Sequence, residues 1–311
     1  KRSHYKPMSS TALHQPVLLN EAVELLQVQP QNWYLDATFG RGGHTKAILD
    51  KQAKLLAFDV DQEAIEYAQE KFSAEIAEGR LVIIRANFSN LETEVNNFQS
   101  YQAETASFSG ILFDFGTSLD QIRAPHRGFS FDNPEAPLDM RMDQSLGITA
   151  SDLLTVLSLK QMINLFKDYG DEPHAKKIAQ AIDRYRGKTR SNRIETVGEL
   201  LEVAFKDIPR ESHLHPATKV LQALRIAVND ELTSIEQALP QALKILKTGG
   251  RVVTIAFHHG EDSLVKHQFK YWQDQDQGKI ITKKAVLPSE TEIKRNPGAR
   301  SAKLRAFEKA S

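Results

Sequence analysis

Three acidic residues and one glycine cluster give this chain its first chemical signal. Asp36 sits inside the apolar run Trp33-Tyr34-Leu35-Asp36-Ala37, just ahead of Thr38-Phe39-Gly40-Arg41-Gly42-Gly43-His44-Thr45. Asp59 closes a second apolar run, and Asp114 lies near the end of a third, at 110–115. Glycines in the first loop permit positive φ and let a ligand approach the backbone. A helix starting there offers free N–H groups and the positive end of its dipole to a polar or anionic ligand. An acid ending the second strand can accept hydrogen bonds from both hydroxyls of a ribose. An acid at a buried strand end is costly without a partner, so Asp114 points to a functional role.

The spacing narrows the ligand. A dinucleotide fingerprint reads G-x-G-x-x-G, and Gly40-Arg41-Gly42-Gly43-His44-Thr45 lacks its third glycine. Asp36 also precedes the glycines. The pattern suits a nucleoside with an amino-acid tail and no pyrophosphate, which is S-adenosylmethionine, and it disfavours a nicotinamide dehydrogenase. Phe88 follows a third apolar run, where an aromatic ring can stack near adenine or simply pack in the core. Methyl transfer to an exocyclic base amine benefits from acceptors aimed at its N–H atoms. Many amino-methyltransferases use Asp/Asn-Pro-Pro-aromatic for this purpose. Here the place reads Asp114-Phe115-Gly116-Thr117, so the acid is present without the prolines, and these residues alone leave the methyl acceptor open.

Further clusters could touch a substrate. Arg127-Gly128-Phe129-Ser130-Phe131 mixes a cation with aromatics, as a base-stacking surface does. Pro137-Leu138-Asp139-Met140-Arg141-Met142-Asp143 alternates charge with methionine and reads equally as a salt-bridged turn. His258 ends an apolar strand on the expected ligand edge, and His215 precedes Pro216 ahead of a long helix. No histidine shows a zinc spacing, so no metal site is expected.

These residues need a frame. Apolar strand patterns at 34–38, 54–59, 80–85, 110–115 and 251–257 alternate with helical patterns at 20–26, 45–49 and 62–72. That order predicts an α/β, Rossmann-like class I methyltransferase fold with a mainly parallel sheet. From about 123 to 216 the strands stop. Helical spacing takes over at 151–157, 159–169, 175–185 and 194–205, with Asp152 and Thr196 near helix starts. We read an inserted helical domain at 125–215 between core parts 1–124 and 216–311. One long helix is expected over 218–239 and a last strand over 302–307.

The 311 residues contain no cysteine, which excludes disulfides and thiolate metal sites and fits a cytoplasmic protein. The polar stretch 1–10 has no secretory apolar core, which argues against export. No apolar run approaches a membrane span. Formal net charge is +0, so no global basic field exists. Basic residues still crowd two regions. One holds Lys176, Lys177, Arg184, Arg186, Lys188, Arg190 and Arg193. The other holds Lys279, Lys283, Lys284, Lys294, Arg295, Arg300, Lys303 and Arg305. Each could meet phosphates or be a solvated face.

The ordered motifs resemble the bacterial small-subunit rRNA cytosine-N4 methyltransferases, the RsmH (MraW) family. The resemblance runs from His14-Gln15-Pro16-Val17-Leu18-Leu19 to Asn296-Pro297-Gly298-Ala299-Arg300-Ser301. It takes in the glycine loop, the two clusters at 127–131 and 137–143, His215-Pro216-Ala217-Thr218 and Gln222-Ala223-Leu224-Arg225-Ile226. It implies S-adenosylmethionine-dependent methylation of N4 of a cytidine in the decoding region of 16S rRNA, within the small ribosomal subunit. It implies cofactor contacts at Gly42, Gly43, His44, Asp59, Phe88, Asp114 and Gln121, with Asp114 also catalytic. Arg127, Asp139, Arg141, His215 and His258 are the expected substrate contacts. Two places depart from the family pattern. Leu119-Asp120 replaces Ser-Pro before the glutamine, and His259-Gly260 replaces Ser-Leu. These departures keep a catalytically silent rRNA-binding assembly factor in view, beside a methyltransferase acting on a small molecule or a protein.

Overall fold

The computed structural model describes residues 16–102, 107–187, 192–209 and 215–310. His14, Gln15, Lys188, Arg190 and the stretch 1–10 singled out above lie outside the described residues.

The chain runs α1 (Leu19–Leu26), β1 (Trp33–Asp36), α2 (Gly43–Leu49), β2 (Lys54–Asp59), α3 (Gln62–Lys71), α4 (Ser73–Ala77), β3 (Leu81–Arg85), α5 (Leu91–Gln102) and β4 (Phe108–Asp114). Five helices follow: α6 (Leu119–Arg123), α7 (Ala150–Val156), α8 (Leu159–Asp168), α9 (Ala175–Arg186) and α10 (Val197–Phe205). The rest is α11 (Ala217–Asn229), α12 (Glu231–Ile245), β5 (Leu246–Ala256), α13 (His259–Asp274), β6 (Gly278–Ile280), α14 (Glu290–Arg295) and β7 (Lys303–Lys309).

The seven strands form one sheet in the order β3-β2-β1-β4-β5-β7-β6. Strands β1 to β5 pair in parallel, and β7 runs antiparallel to both neighbours. Strands such as Leu55-Leu56-Ala57-Phe58 are apolar on both faces because both faces are covered. On one face Leu35, Phe58 and Phe113 pack against α5, α12 and α13. On the other Tyr34, Leu55 and Leu112 pack against α1, α2 and α3. The parallel register puts Asp36, Asp59 and Asp114 at the carboxyl ends of three adjacent strands. This edge is where open α/β sheets bind ligands.

The helices after β4 have their own core, built from Leu138, Met162, Phe166, Ile178, Ile182 and Leu200 among others. Capping boxes start α7 (Thr149 with Asp152), α8 (Ser158 with Gln161) and α10 (Thr196 with Glu199). Asp152 is thus the third residue of its helix, and Thr149 is the cap. Helix α11 buries Val220, Leu221 and Leu224 in this core, so the packing boundary lies beyond the one drawn at 215/216. The long helix expected over 218–239 is two helices. Asp230 takes φ +49 between them, and the helices on either side pack into different cores. Among the described residues no helix is long and apolar enough to cross a membrane.

Candidate active site

A cavity of about 1260 Å³ opens over the carboxyl ends of β1, β2 and β4. Small-molecule sites span roughly 300–1,000 Å³. There is room for a nucleoside cofactor with a second ligand beside it.

The glycine loop forms one wall. Gly40 has φ +56, and its N–H donates to Asp59 Oδ2 at 2.7 Å. Gly42 has φ +70, and a Cβ there would lie 2.7 Å from Phe39 and Phe72. A Cβ on Gly43 would lie 2.1 Å from Pro16. The sequence suggests these glycines make way for a ligand, yet at Gly42 and Gly43 the space is taken by the protein itself.

The acids behave differently from one another. Asp36 is buried, accepts from Thr38 N at 3.1 Å and Thr45 Oγ1 at 2.7 Å, and is spent on holding the loop. Burial raises it to about 6 against those hydrogen bonds. Asp59 lines the cavity and accepts from Gly40 N and, through Oδ1, from Asp61 N at 2.9 Å. Burial raises Asp59 to about 6 as well, with Asp61 and Asp36 adding repulsion. Each Asp59 oxygen keeps one lone pair for a ligand hydroxyl.

Asp114 occupies the floor. Its N–H donates to Thr38 Oγ1 at 2.7 Å, and its Oδ2 lies 3.6 Å from His44 Nδ1. Its Oδ1 is buried without a hydrogen-bond partner. Burial holds Asp114 well above the usual carboxylate range, and the charges of Asp36 and Glu261 push it further. Such a concentration of acid suits a ligand carrying positive charge. His44 is buried, with Nε2 3.1 Å from Val17 O. Phe88 lines the cavity and packs edge-on to Phe113 at 5.9 Å, so it serves the core and the wall together. Gln121 also lines it, but its Nε2 donates to Asp61 at 2.8 Å and its Oε1 accepts from Ser118 N.

The five expected substrate residues lie elsewhere. None of Arg127, Asp139, Arg141, His215 and His258 lines the cavity. Arg127 is 1% exposed, so it presents no base-stacking face. Its guanidinium donates to Asp61 and Glu63 at 2.8–3.0 Å and to the carbonyls of Arg141 and Met142. It is a strut between the start of α3 and the 140–142 loop. Arg141 is forked onto Asp139 and caps the carbonyls of Gln144 and Leu146, which makes the 137–143 motif a salt-bridged turn. His215 stacks on Phe131 at 4.6 Å, away from the main cavity. His258 stands behind Glu261, its Nε2 3.1 Å from Oε1.

The cavity instead presents Arg225, Asn229, Glu231 and Glu261, none of them expected as site residues. Arg225 Nε and NH2 donate to the two oxygens of Glu231, both at 2.8 Å. Burial pushes Glu261 up, but His258, Arg225 and the Phe257 N–H outweigh it and leave the carboxyl below its usual value. Glu231, His258 and Glu261 offer ligand atoms within 4.8 Å of one another, the spacing of a metal triad. Arg225 already supplies the positive charge there. A charged residue inside the apolar run Leu221-Gln222-Ala223-Leu224-Arg225-Ile226 was the available signal, because buried charge requires a partner.

The family described as MraW methylase matches this chain over residues 11–310. Among solved structures, an rRNA methylase from Streptococcus thermophilus is 13% identical with TM-score 0.44, covering 96% of this chain and 100% of that one. A Streptococcus mutans protein in complex with SAH is 15% identical with TM-score 0.43, covering 96% and 99%. The N-methyltransferase NodS of Bradyrhizobium japonicum, also bound to S-adenosyl-L-homocysteine, is 9% identical with TM-score 0.41, covering 96% and 90%.

Proposed function

Because the chain belongs to the MraW methylase family, we propose that it uses S-adenosylmethionine to methylate N4 of a cytidine in the decoding region of 16S rRNA, within the small ribosomal subunit. The observation that carries this reading is Asp114. It combines an unpartnered buried oxygen, two neighbouring acids and a place on the floor of a two-ligand cavity.

The residues present fit the cofactor. Asp59 would take the ribose hydroxyls on its remaining lone pairs, and Phe88 would flank the adenine. The Gly42-Gly43-His44 turn and Asp114 would hold the cationic tail, which satisfies the acids gathered there. Gln121 would act through Asp61, closing the pocket from α6. The bound cofactor supplies an electrophilic methyl on a sulfonium.

The chain's own residues would do the rest. Asp114 would accept a hydrogen bond from the cytosine amine, drawing its lone pair out of conjugation and towards the methyl, and would take up the N4 proton released as the N–C bond forms and the sulfonium S–C bond breaks. Such preorganised acceptors typically contribute about 10²-fold or more in rate. Holding amine and methyl in line adds to this by removing orientational freedom.

Phosphate contacts would come from the surface around the mouth. Asn296 and Gly298 line the cavity, and Lys294, Arg295 and Arg300 beside them are exposed. In the helical unit Arg186 is occupied by Asp183 and three carbonyls, and Arg193 by Asp152 and Ser151. Lys176 and Arg184 remain exposed there. Arg127, Asp139 and Arg141 would shape the acceptor side from behind.

The test is labelled-methyl transfer to small subunits, with mass spectrometry of their 16S rRNA. Asp114→Asn keeps the shape and removes the charge. Its kcat should fall by about 100-fold or more. Undiminished methylation by that variant would remove Asp114 from the chemistry. Tight subunit binding without methyl incorporation by the unaltered protein would point to the silent assembly factor.

A further inference from the structure

We infer that Arg225 is a specificity-determining residue that reads the acceptor edge of the target base. Its free N–H atoms would donate to ring N3 and O2 of a cytosine while Asp114 takes the N4 amine. The inference rests on the cytidine reading above.

The geometry is built around this arginine. Glu231 forks onto Nε and NH2, leaving NH1 pointing away from the fork. NH1 reaches Thr117 Oγ1 only at 3.4 Å, a long contact that leaves donor capacity to spare. NH2 is 3.9 Å from Glu261 Oε1, too far for a hydrogen bond but close enough to hold the charge in place. The Arg225 side chain is 17% exposed and lines the cavity. Gly116 lies beside the guanidinium, since a Cβ built there would be 3.8–3.9 Å from its two terminal nitrogens, and its φ of +95 is one that favours glycine.

Glu261 holds the device from below. Its Oε2 accepts from Phe257 N and His258 N at the end of β5. Its Oε1 faces His258 and the guanidinium. Glu261 is fully buried at the cavity wall and faces the guanidinium, so it acts as a positioning residue for Arg225.

The chemistry then distinguishes bases. A guanidinium offers only donors, and a carboxylate only acceptors. Cytosine presents two acceptors, O2 and N3, beside a donor, the N4 amine. Uracil places N3–H against the guanidinium and O4 against the carboxylate, so both contacts turn repulsive. The pattern Arg225–Asp114 is therefore complementary to cytosine and rejects its keto counterpart.

The test uses the full chain loaded with S-adenosylhomocysteine and two ligands, CMP and 3-deaza-CMP. The second keeps N4 and O2 but has carbon at position 3. NMR titration should show CMP binding about 10-fold more tightly in the unaltered protein, as expected for one hydrogen bond to a charged donor. Arg225→Met should reduce that ratio to below about 2-fold while leaving S-adenosylhomocysteine affinity within about 2-fold. Arg225→Lys keeps a charge beside Glu231, which guards against loss of folding, and it should lose most of the ratio because an ammonium lacks the fork. A ratio unchanged in both variants overturns the inference. So does equal affinity for the two nucleotides, or no binding of either, in the unaltered protein. Failure of that protein to methylate small subunits would instead overturn the cytidine reading.

Discussion

Removing the Asp59 carboxylate should weaken S-adenosylmethionine binding by about 150-fold. A hydrogen bond to a charged acceptor contributes about 1.5–3 kcal/mol. Two ribose hydroxyls would give twice that on an unengaged carboxylate. Each Asp59 oxygen, however, already accepts one backbone N–H, from Gly40 or Asp61. The lower end, about 3 kcal/mol in total, is therefore the expected loss for Asp59→Ala, and it converts to the stated factor. Titration calorimetry reads it directly.

The same carboxyl predicts a pH dependence with a definite sign. Burial first, then Asp61 and Asp36, hold the empty-pocket Asp59 at about 6. Hydroxyl donors favour the charged form, so binding lowers this value. Affinity is then complete above pH 6 and falls as pH drops through it. Between about pH 7.5 and pH 5 the loss is about 10-fold if the bound carboxyl titrates below that window. Asp59→Asn has nothing to titrate and should show a flatter profile. An Asp59→Ala affinity within about 3-fold of the unaltered protein, or an identical slope in Asp59→Asn, would refute the ribose assignment.

Two further predictions concern stability. Arg127→Met leaves buried Asp61 without its cationic partner, with hydrogen bonds from Gln121 and Glu63 N remaining, and should cost about 3 kcal/mol in urea unfolding. The hydrogen bond from Arg127 also holds Glu63 below its ordinary value of 4.5. That contribution is present above 4.5, is lost as pH falls through the depressed value, and should shrink in Arg127→Met to what His126 supplies. Gly128→Ala forces a side chain onto φ +72, with its Cβ 2.1 Å from Pro137 O. Backbone strain and overpacking together should cost about 2 kcal/mol or more, and an equally stable variant would contradict the geometry.

Much of the frame was legible because parallel strands buried on both faces leave long apolar runs. Strands β1 to β5 each contain or closely match a run that reads as a strand. Asp36, Asp59 and Asp114 stand out because they interrupt those runs. What was not legible depends on contacts distant in sequence. Nothing in Asn229-Asp230-Glu231 announces a helix break, since Asp230 adopts its left-handed conformation without a glycine. The break exists because α11 and α12 serve different cores. Strand β6 spans three residues and is defined by its pairing with β7. Arg127 beside Phe129 and Phe131 reads as a surface for bases, whereas burial against Asp61, distant in sequence, makes it a strut. Glu231 and Glu261 lie among ordinary helix formers, and only the fold brings them to Arg225.

Strands β4 and β5 lie side by side, in continuous parallel register from Gly110 to Asp114 after a shift beyond Phe108, although the whole helical unit is spliced into the chain between them. The two strands on either side of that insertion are hydrogen-bonded neighbours at the centre of the sheet. The helical unit has its own core, so substitutions inside that core leave the hydrogen bonds of the sheet in place. Arg225 and Glu231 straddle that seam, one on each side of Asp230. If Arg225 reads the base as inferred above, a drift in how the two helices meet at Asp230 would be felt first as an altered choice of target.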